Sequence, residues 1–314
     1  MYTYRPALEA DYPAIAAIRN SYLHEPVTPE LVRLFSERDR ARSQHFLHLV
    51  AVADDGTVMG EAMMVADPES PSDEWFCALG VLPDHWGKGV GSELYRRAEE
   101  FAREGGARLI RQRIEGGHED GFRFAVRLGF AVERERVESV LNLADWDGAR
   151  FGKQVASVRA TGIRLMSLPS LTGDVLHQIY DLEMETLEET PFYSGHRPAY
   201  EVWAQEHTGM LPGEQFVTLA LDGERLVGVS TIYFPESPGR GARQGYTAVR
   251  RAYRGRGIAL ALKLVNIKEC KSRGVRHIRT QTDPDNGAVQ AVNKKLGFRE
   301  VPGPRILVKH LDTV

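Results

Sequence analysis

The glycine-rich run Arg254-Gly255-Arg256-Gly257-Ile258-Ala259 has a relative earlier in the chain, Trp86-Gly87-Lys88-Gly89-Val90-Gly91. Subtracting 87 from 255, 89 from 257 and 128 from 296 gives 168 each time, so segments 87–130 and 255–298 align without a gap. Both close on Leu-Gly-Phe, at 128–130 and at 296–298, and upstream Gly60 falls opposite Gly228 and Val81 opposite Val249. A period this long is that of a duplicated domain, not of a solenoid unit. It divides the 314 residues into domains at 1–150 and 151–314, with a linker over 145–162, and each half is long enough to bury its own core.

Composition narrows the class of partner more than it narrows the fold. A formal net charge of -3 gives little attraction to a phosphate backbone or an anionic bilayer, so neither nucleic acid nor membrane is expected as a partner. Only Cys77 and Cys270 are present, one in each half, which does not make a disulfide framework. The opening Met-Tyr-Thr-Tyr-Arg-Pro has no basic stretch leading into an apolar one, and no run of 18 apolar residues follows. A cytoplasmic protein, monomeric or homodimeric, is the expectation.

Periodicity gives both halves the same order of elements. In the first, a short strand at 2–5 precedes helices at 11–23 and 29–38, and strands at 46–53 and 58–65 meet at Asp54-Asp55-Gly56. A strand at 75–81 delivers the chain to the glycine-rich run, helix 89–104 follows, then strand 108–114, helix 118–127 and closing strands over 130–143. The second half repeats this with strand 163–168, helices 173–188 and 198–206, and strands 215–221, 226–234 and 244–250. Helix 257–272, strand 275–281, helix 286–295 and a last strand at 305–311 complete it. An exposed loop is expected at Gly239-Arg240-Gly241.

A strand, a glycine-rich loop and an immediate helix gather unpaired backbone N–H groups at one point, where the helix dipole also favours an anion. Gly255 and Gly257 permit close backbone approach to a pyrophosphate, and Arg254 and Arg256 add charge-assisted donors. The run lacks the Lys-Ser/Thr ending of a P-loop. It also follows the fourth strand of its unit, whereas a dinucleotide fingerprint follows the first.

In these residues both halves resemble the GCN5-related N-acetyltransferase family, whose acyl-CoA motif is Gln or Arg, two residues, Gly, one residue, then Gly or Ala. Arg254 to Ala259 fulfils it; Trp86 departs at the first place of the upstream copy. Asn286 before a helix ending in Leu296-Gly297-Phe298 matches the later family motif, where the first half has His118. The resemblance covers nearly the whole chain. It implies an α+β fold of two tandem domains, each a mixed, largely antiparallel sheet flanked by helices, and an N-acetyltransferase that takes acetyl from acetyl-CoA to a primary amine, of a small molecule, by direct attack and without a metal. The alternative is a non-catalytic acyl-CoA-binding regulatory or sensor protein.

The family implies cofactor contacts from Ala248, Val249 and Arg250 of the fourth strand, from Arg254, Gly255, Arg256, Gly257, Ile258 and Ala259, and from Asn286 and Asn293. It often places a Tyr acid five residues before the final Phe, and here that position is Asn293, or Ala125 in the first half. Tyr246 is then the substitute acid, its alternative being a pocket-lining residue. Six acidic residues and no Lys or Arg lie between Asp174 and Glu189, and from them Glu185 and Glu189 are drawn as catalytic base candidates, with Glu188 nearby. Thr280 and Thr282 share one strand face and either line an acceptor channel or reflect β-propensity alone. His196 has a suitable intrinsic pKa, Cys270 reads as ordinary packing, and no His spacing suggests a metal site.

Overall fold

The computed structural model describes residues 2–66, 73–168, 173–189, 197–209, 214–234 and 241–311. His196, Gly239 and Arg240 lie outside them. The chain forms two units, one of residues 1–136 with 302–314 and the other of 137–301.

In the first unit, β1 (Tyr2–Pro6) is followed by α1 (Tyr12–Asn20) and α2 (Pro29–Arg42), then β2 (Phe46–Ala53), β3 (Val58–Ala66) and β4 (Glu74–Val81). The glycine-rich loop leads into α3 (Val90–Glu104), β5 (Leu109–Ile114), α4 (Glu119–Arg127) and β6 (Ala131–Glu135). The second unit takes β7 (Val137–Asn142), α5 (Gln154–Ala160), β8 (Ile163–Leu168), α6 (Asp174–Leu187), α7 (Tyr200–Gly209), β9 (Gln215–Asp222), β10 (Arg225–Tyr233) and β11 (Ala242–Val249). After its own glycine-rich loop come α8 (Ile258–Ser272), β12 (His277–Thr282), α9 (Gly287–Leu296) and β13 (Arg299–Val301), before β14 (Arg305–His310) ends the described chain.

The sheets run β1-β2-β3-β4-β5-β14-β6 and β13-β7-β12-β11-β10-β9-β8. The division is therefore not the linear one expected at 150. β14 pairs with β5 and β6 of the first unit, and β7 pairs with β12 and β13 of the second, so each half gives its closing strand to the other's sheet. Short connections account for this. Only Arg136 separates β6 from β7, and a hairpin needs at least a two-residue turn, so the chain cannot fold back into its own sheet. Between β13 and β14 stands Pro302-Gly303-Pro304, whose prolines favour extended backbone before them. Sequence similarity does not register such an exchange, because the strands keep their order along the chain.

Each unit buries its own apolar side chains. In the first, Leu94, Ala98 and Ala102 of α3 pack with Trp75, Ile110 and Leu307. In the second, α8 packs Leu260, Leu264 and Ile267 beside Ile278, Leu296 and Phe298, while Ile258, Ala261 and Leu262 meet Val158 of α5. That helix lies inside the expected linker. Its stripe is only Val155 and Val158, too short for periodicity to announce.

Candidate active site

Among the described residues each sheet has one parallel contact, between the strand before the glycine-rich loop and the strand after the following helix. β4 pairs with β5 at four positions, from Glu74↔Leu109 to Cys77↔Gln112, but β11 pairs with β12 only at Ala242↔Ile278 and Arg243↔Arg279. Beyond Arg243 the pairing of the two strands ends, and the gap this leaves in the ladder, a slot, runs along β11 toward the loop 250–257. The register between β10 and β11 shifts from Ser230↔Thr247 to Ile232↔Gln244, where two residues of β11 stand against one of β10, a β-bulge that bends β11 along this edge. Gln244 pins the bulge by donating to Thr231 O at 2.6 Å and to Ser230 Oγ at 3.1 Å. Asn266 of α8 also donates to Ser230, and accepts from Thr218 at 2.7 Å. The buried network ties helix, bulge and strand together.

The loop itself has the conformation its glycines permit. Gly255 and Gly257 have φ of 75° and 78°, in the left-handed region that side chains disfavour, and Gly257 caps α8 without a side-chain acceptor. The first N–H groups of α8 are thus left for an anion. Arg254 Nε donates to Val249 O at 3.0 Å, and its guanidinium stands 2.5 Å from Glu189. Arg256 donates to Ala252 O at 3.1 Å and lies over the Tyr253 ring. Arg250 donates through Nε to Leu226 O at 2.8 Å and pairs with Glu185. Ala248, Val249 and Ile258 are buried at the strand end and helix start, while Ala259 is partly exposed.

The upstream copy keeps this geometry with one cation fewer, since Lys88 stands opposite Arg256 but Trp86 stands opposite Arg254. Gly87 and Gly89 have φ of 73° and 81°, and Trp86 Nε1 donates to Val81 O at 2.7 Å, the bond that Arg254 makes to the matching Val249. Trp86 therefore preserves the tie and removes the cation. Across α1 and β3 the first unit holds a buried ion pair, Arg19 to Glu61 at 2.6 Å, with His48 on the other carboxylate oxygen at 2.8 Å. The residue matching Glu61 in the second unit is Val229, so that ion pair has no counterpart there.

Instead the α6 side of β11 holds Glu183, a residue that charge counting alone does not single out. It is 6% exposed, accepts from Trp203 Nε1 of α7 at 2.8 Å, and burial pushes its carboxyl up to about 7, only partly offset by that hydrogen bond. Glu185 and Glu189, the expected base candidates, sit on Arg250 and Arg254 and hold the loop. Tyr246 shares a 2.6 Å hydrogen bond with Thr186, and burial pushes its phenol up to about 12. Asn286 caps α9, its side chain accepting from Val289 N at 3.2 Å. Burial likewise pushes the Cys270 thiol to about 12, which agrees with packing and leaves no thiolate for nucleophilic attack.

On the other side of the slot, Thr282 Oγ1 of β12 and Asn293 Nδ2 of α9 are buried without a hydrogen-bond partner. Native proteins rarely leave such atoms unsatisfied, so both are open to a polar ligand or an ordered water. Together with the open helix start, they suit the amide-rich arm and pyrophosphate of an acyl-CoA.

A model of the Acetyltransferase (GNAT) family matches residues 12–130 and 176–298, so the chain belongs to this family, twice over. It is an acetyl-CoA-dependent acetyltransferase of tandem architecture, and the family generally acetylates amines. Similar proteins include the mycothiol acetyltransferase of Amycolatopsis mediterranei (strain U-32), 28% identical over 257 residues that span 80% of each chain. The N-alpha-acetyltransferase 30 of Schizosaccharomyces pombe (strain 972 / ATCC 24843) is 33% identical over 88 residues, 27% of this chain and 57% of that one. Among solved structures, a tandem GNAT protein from the clavulanic acid biosynthesis pathway superposes with a TM-score of 0.78 at 18% identity, over 99% of this chain and 98% of that one, a likeness of fold alone. No helix among the described residues is long and apolar enough to cross a membrane.

Proposed function

We propose that the second unit carries the reaction, moving acetyl from acetyl-CoA to a primary amine of a small molecule by direct attack, with Glu183 as general base. The observation that carries this reading is the end of the pairing of β11 with β12 after Arg243, which leaves a slot toward an intact anion loop. Loop N–H groups from 257–260, with Arg254 and Arg256, would hold the pyrophosphate. The β11 backbone between Ala248 and Arg250 would meet the pantetheine, and an N–H near Val249 would polarise the thioester carbonyl, where negative charge develops. Acetyl-CoA supplies an activated acyl group, and the chain supplies position, charge and a proton acceptor.

An amine must be neutral to attack, so a carboxyl poised near 7 suits the task better than one held ionised by arginine. The titratable groups facing Glu183 from the packed strands are Tyr246 of β11 and Tyr233 of β10, both raised by burial and uncharged, while α7 presents the neutral Trp203. Glu185 and Glu189 would then organise Arg250 and Arg254, and Tyr246 would line the acceptor side through Thr186. Similarity to a mycothiol acetyltransferase over most of both chains supports a small-molecule acceptor. Incubation of the purified chain with acetyl-CoA and a broad panel of small amines should give sustained CoA release that depends on one amine class. Tight binding with no amine-dependent release would instead establish the regulatory or sensor alternative.

A further inference from the structure

Lys263 lies in the middle of α8, 2% exposed, where helix periodicity calls for an apolar side chain. Its Nζ donates to Asn293 Oδ1 at 2.8 Å. Subtracting 168 places Tyr95 and Ala125 at the matching positions of the first unit, so the couple belongs to the second unit alone. A lysine only donates when charged, which fixes the Asn293 oxygen toward it and turns the amide NH2 away. That NH2 is buried without a protein partner.

The arrangement is costly in the ligand-free protein. Burial alone pulls the Lys263 amine down to about 7, with no carboxylate contributing. The groups that meet α8 at this level are neutral: the Phe298 ring, 5.9 Å from Nζ, Asn293 of α9, and the Thr218–Asn266–Ser230 network toward β9 and β10. Two further facts tie this couple to the border of the slot. α9 directly follows β12, the strand that borders the slot, and Thr282 Oγ1 at the end of that strand is a second buried polar atom without a partner.

We propose that Lys263 is a positioning residue for the departing sulfur, holding the Asn293 amide with its NH2 toward the slot and placing a cation behind it. The proposal rests on the reading of the second unit given above. In the step it serves, the amine nitrogen bonds to the acetyl carbon while the carbon–sulfur bond breaks. The bonding pair leaves with sulfur as the CoA thiolate, and the amine proton passes to the Glu183 carboxylate. Asn293 donates to the thiolate, and the Lys263 ammonium balances its charge. A thiolate nearby raises the lysine pKa in turn, so the cation is present when it is needed.

The test needs no acceptor. CoA and desulfo-CoA are titrated into the full chain, and the bound thiol is titrated by its thiolate absorbance. In the wild type the thiol is expected to ionise at least about one pH unit below free CoA, as for a group beside a buried cation. Lys263→Met should return it to the free value and lower the CoA to desulfo-CoA affinity ratio about tenfold, with desulfo-CoA affinity unchanged. Because methionine removes an uncompensated buried amine, this variant should melt no lower than the wild type. Asn293→Ala, a second variant, should produce the same loss. Thiol titration and affinity ratio unchanged in both variants would overturn the proposal alone. Failure of the wild-type chain to bind either compound would overturn the reading of the second unit as well.

Discussion

Glu183→Gln should lower kcat by about 10²–10⁴-fold, the usual contribution of a positioned general base, while leaving acetyl-CoA affinity unchanged. The pH profile gives the sharper result. Below about 7 the Glu183 carboxyl is protonated and accepts nothing, so wild-type kcat should climb with pH and level off above that value. In the Gln variant this acidic limb disappears. Stability carries the same signature with a defined sign. The folded pKa lies above the ordinary 4.5, so the contribution is fully present below about pH 4.5 and is lost as pH rises through about 7. The Gln variant should therefore melt with a flatter pH dependence across that window. A retained acidic limb would remove Glu183 from the mechanism.

Gly257→Val should abolish acetyl-CoA binding by the second unit, with affinity lower by at least about 100-fold, because two effects act at one atom. A φ of 78° is strained for any β-branched residue. A Cβ there would also come within 2.5 Å of Gln154 Nε2 of α5 and stand where phosphate is expected. Gly89→Val makes the informative comparison, since a Cβ at Gly89 meets nothing within 4 Å and the first unit lacks the motif arginine. Turnover should survive at Gly89 and vanish at Gly257, measured as CoA release after melting curves confirm that both variants fold. The reverse outcome would move the principal site to the first unit.

Why some of this was legible in the sequence and some was not follows from the range of each interaction. Loop conformation is local, so Gly255, Gly257 and the helix they start could be read from spacing. The inequality of the copies was also local, since Trp86, His118 and Ala125 stand at motif positions. Strand exchange was hidden because the duplicated order is identical whether β7 closes its own sheet or the other; only the single residue between β6 and β7 hints that no hairpin forms. α5 was hidden by its short apolar stripe. The acidic segment was noticed as charge, yet which of its carboxylates is buried depends on partners far along the chain. Arg250 and Arg254 take Glu185 and Glu189, whereas Trp203 and Tyr246 enclose Glu183. Lys263 is not legible as a buried residue because a lysine in a helix ordinarily reads as surface.

The central claim is that the reaction belongs to the slot between β11 and β12. A crystal structure of the chain with CoA bound tests it most directly. The account predicts pyrophosphate on the N–H groups following Gly257 and sulfur within hydrogen-bond distance of Asn293 Nδ2. CoA seated only on the loop at Gly87 and Gly89, with the β11–β12 slot closed by protein, would contradict it.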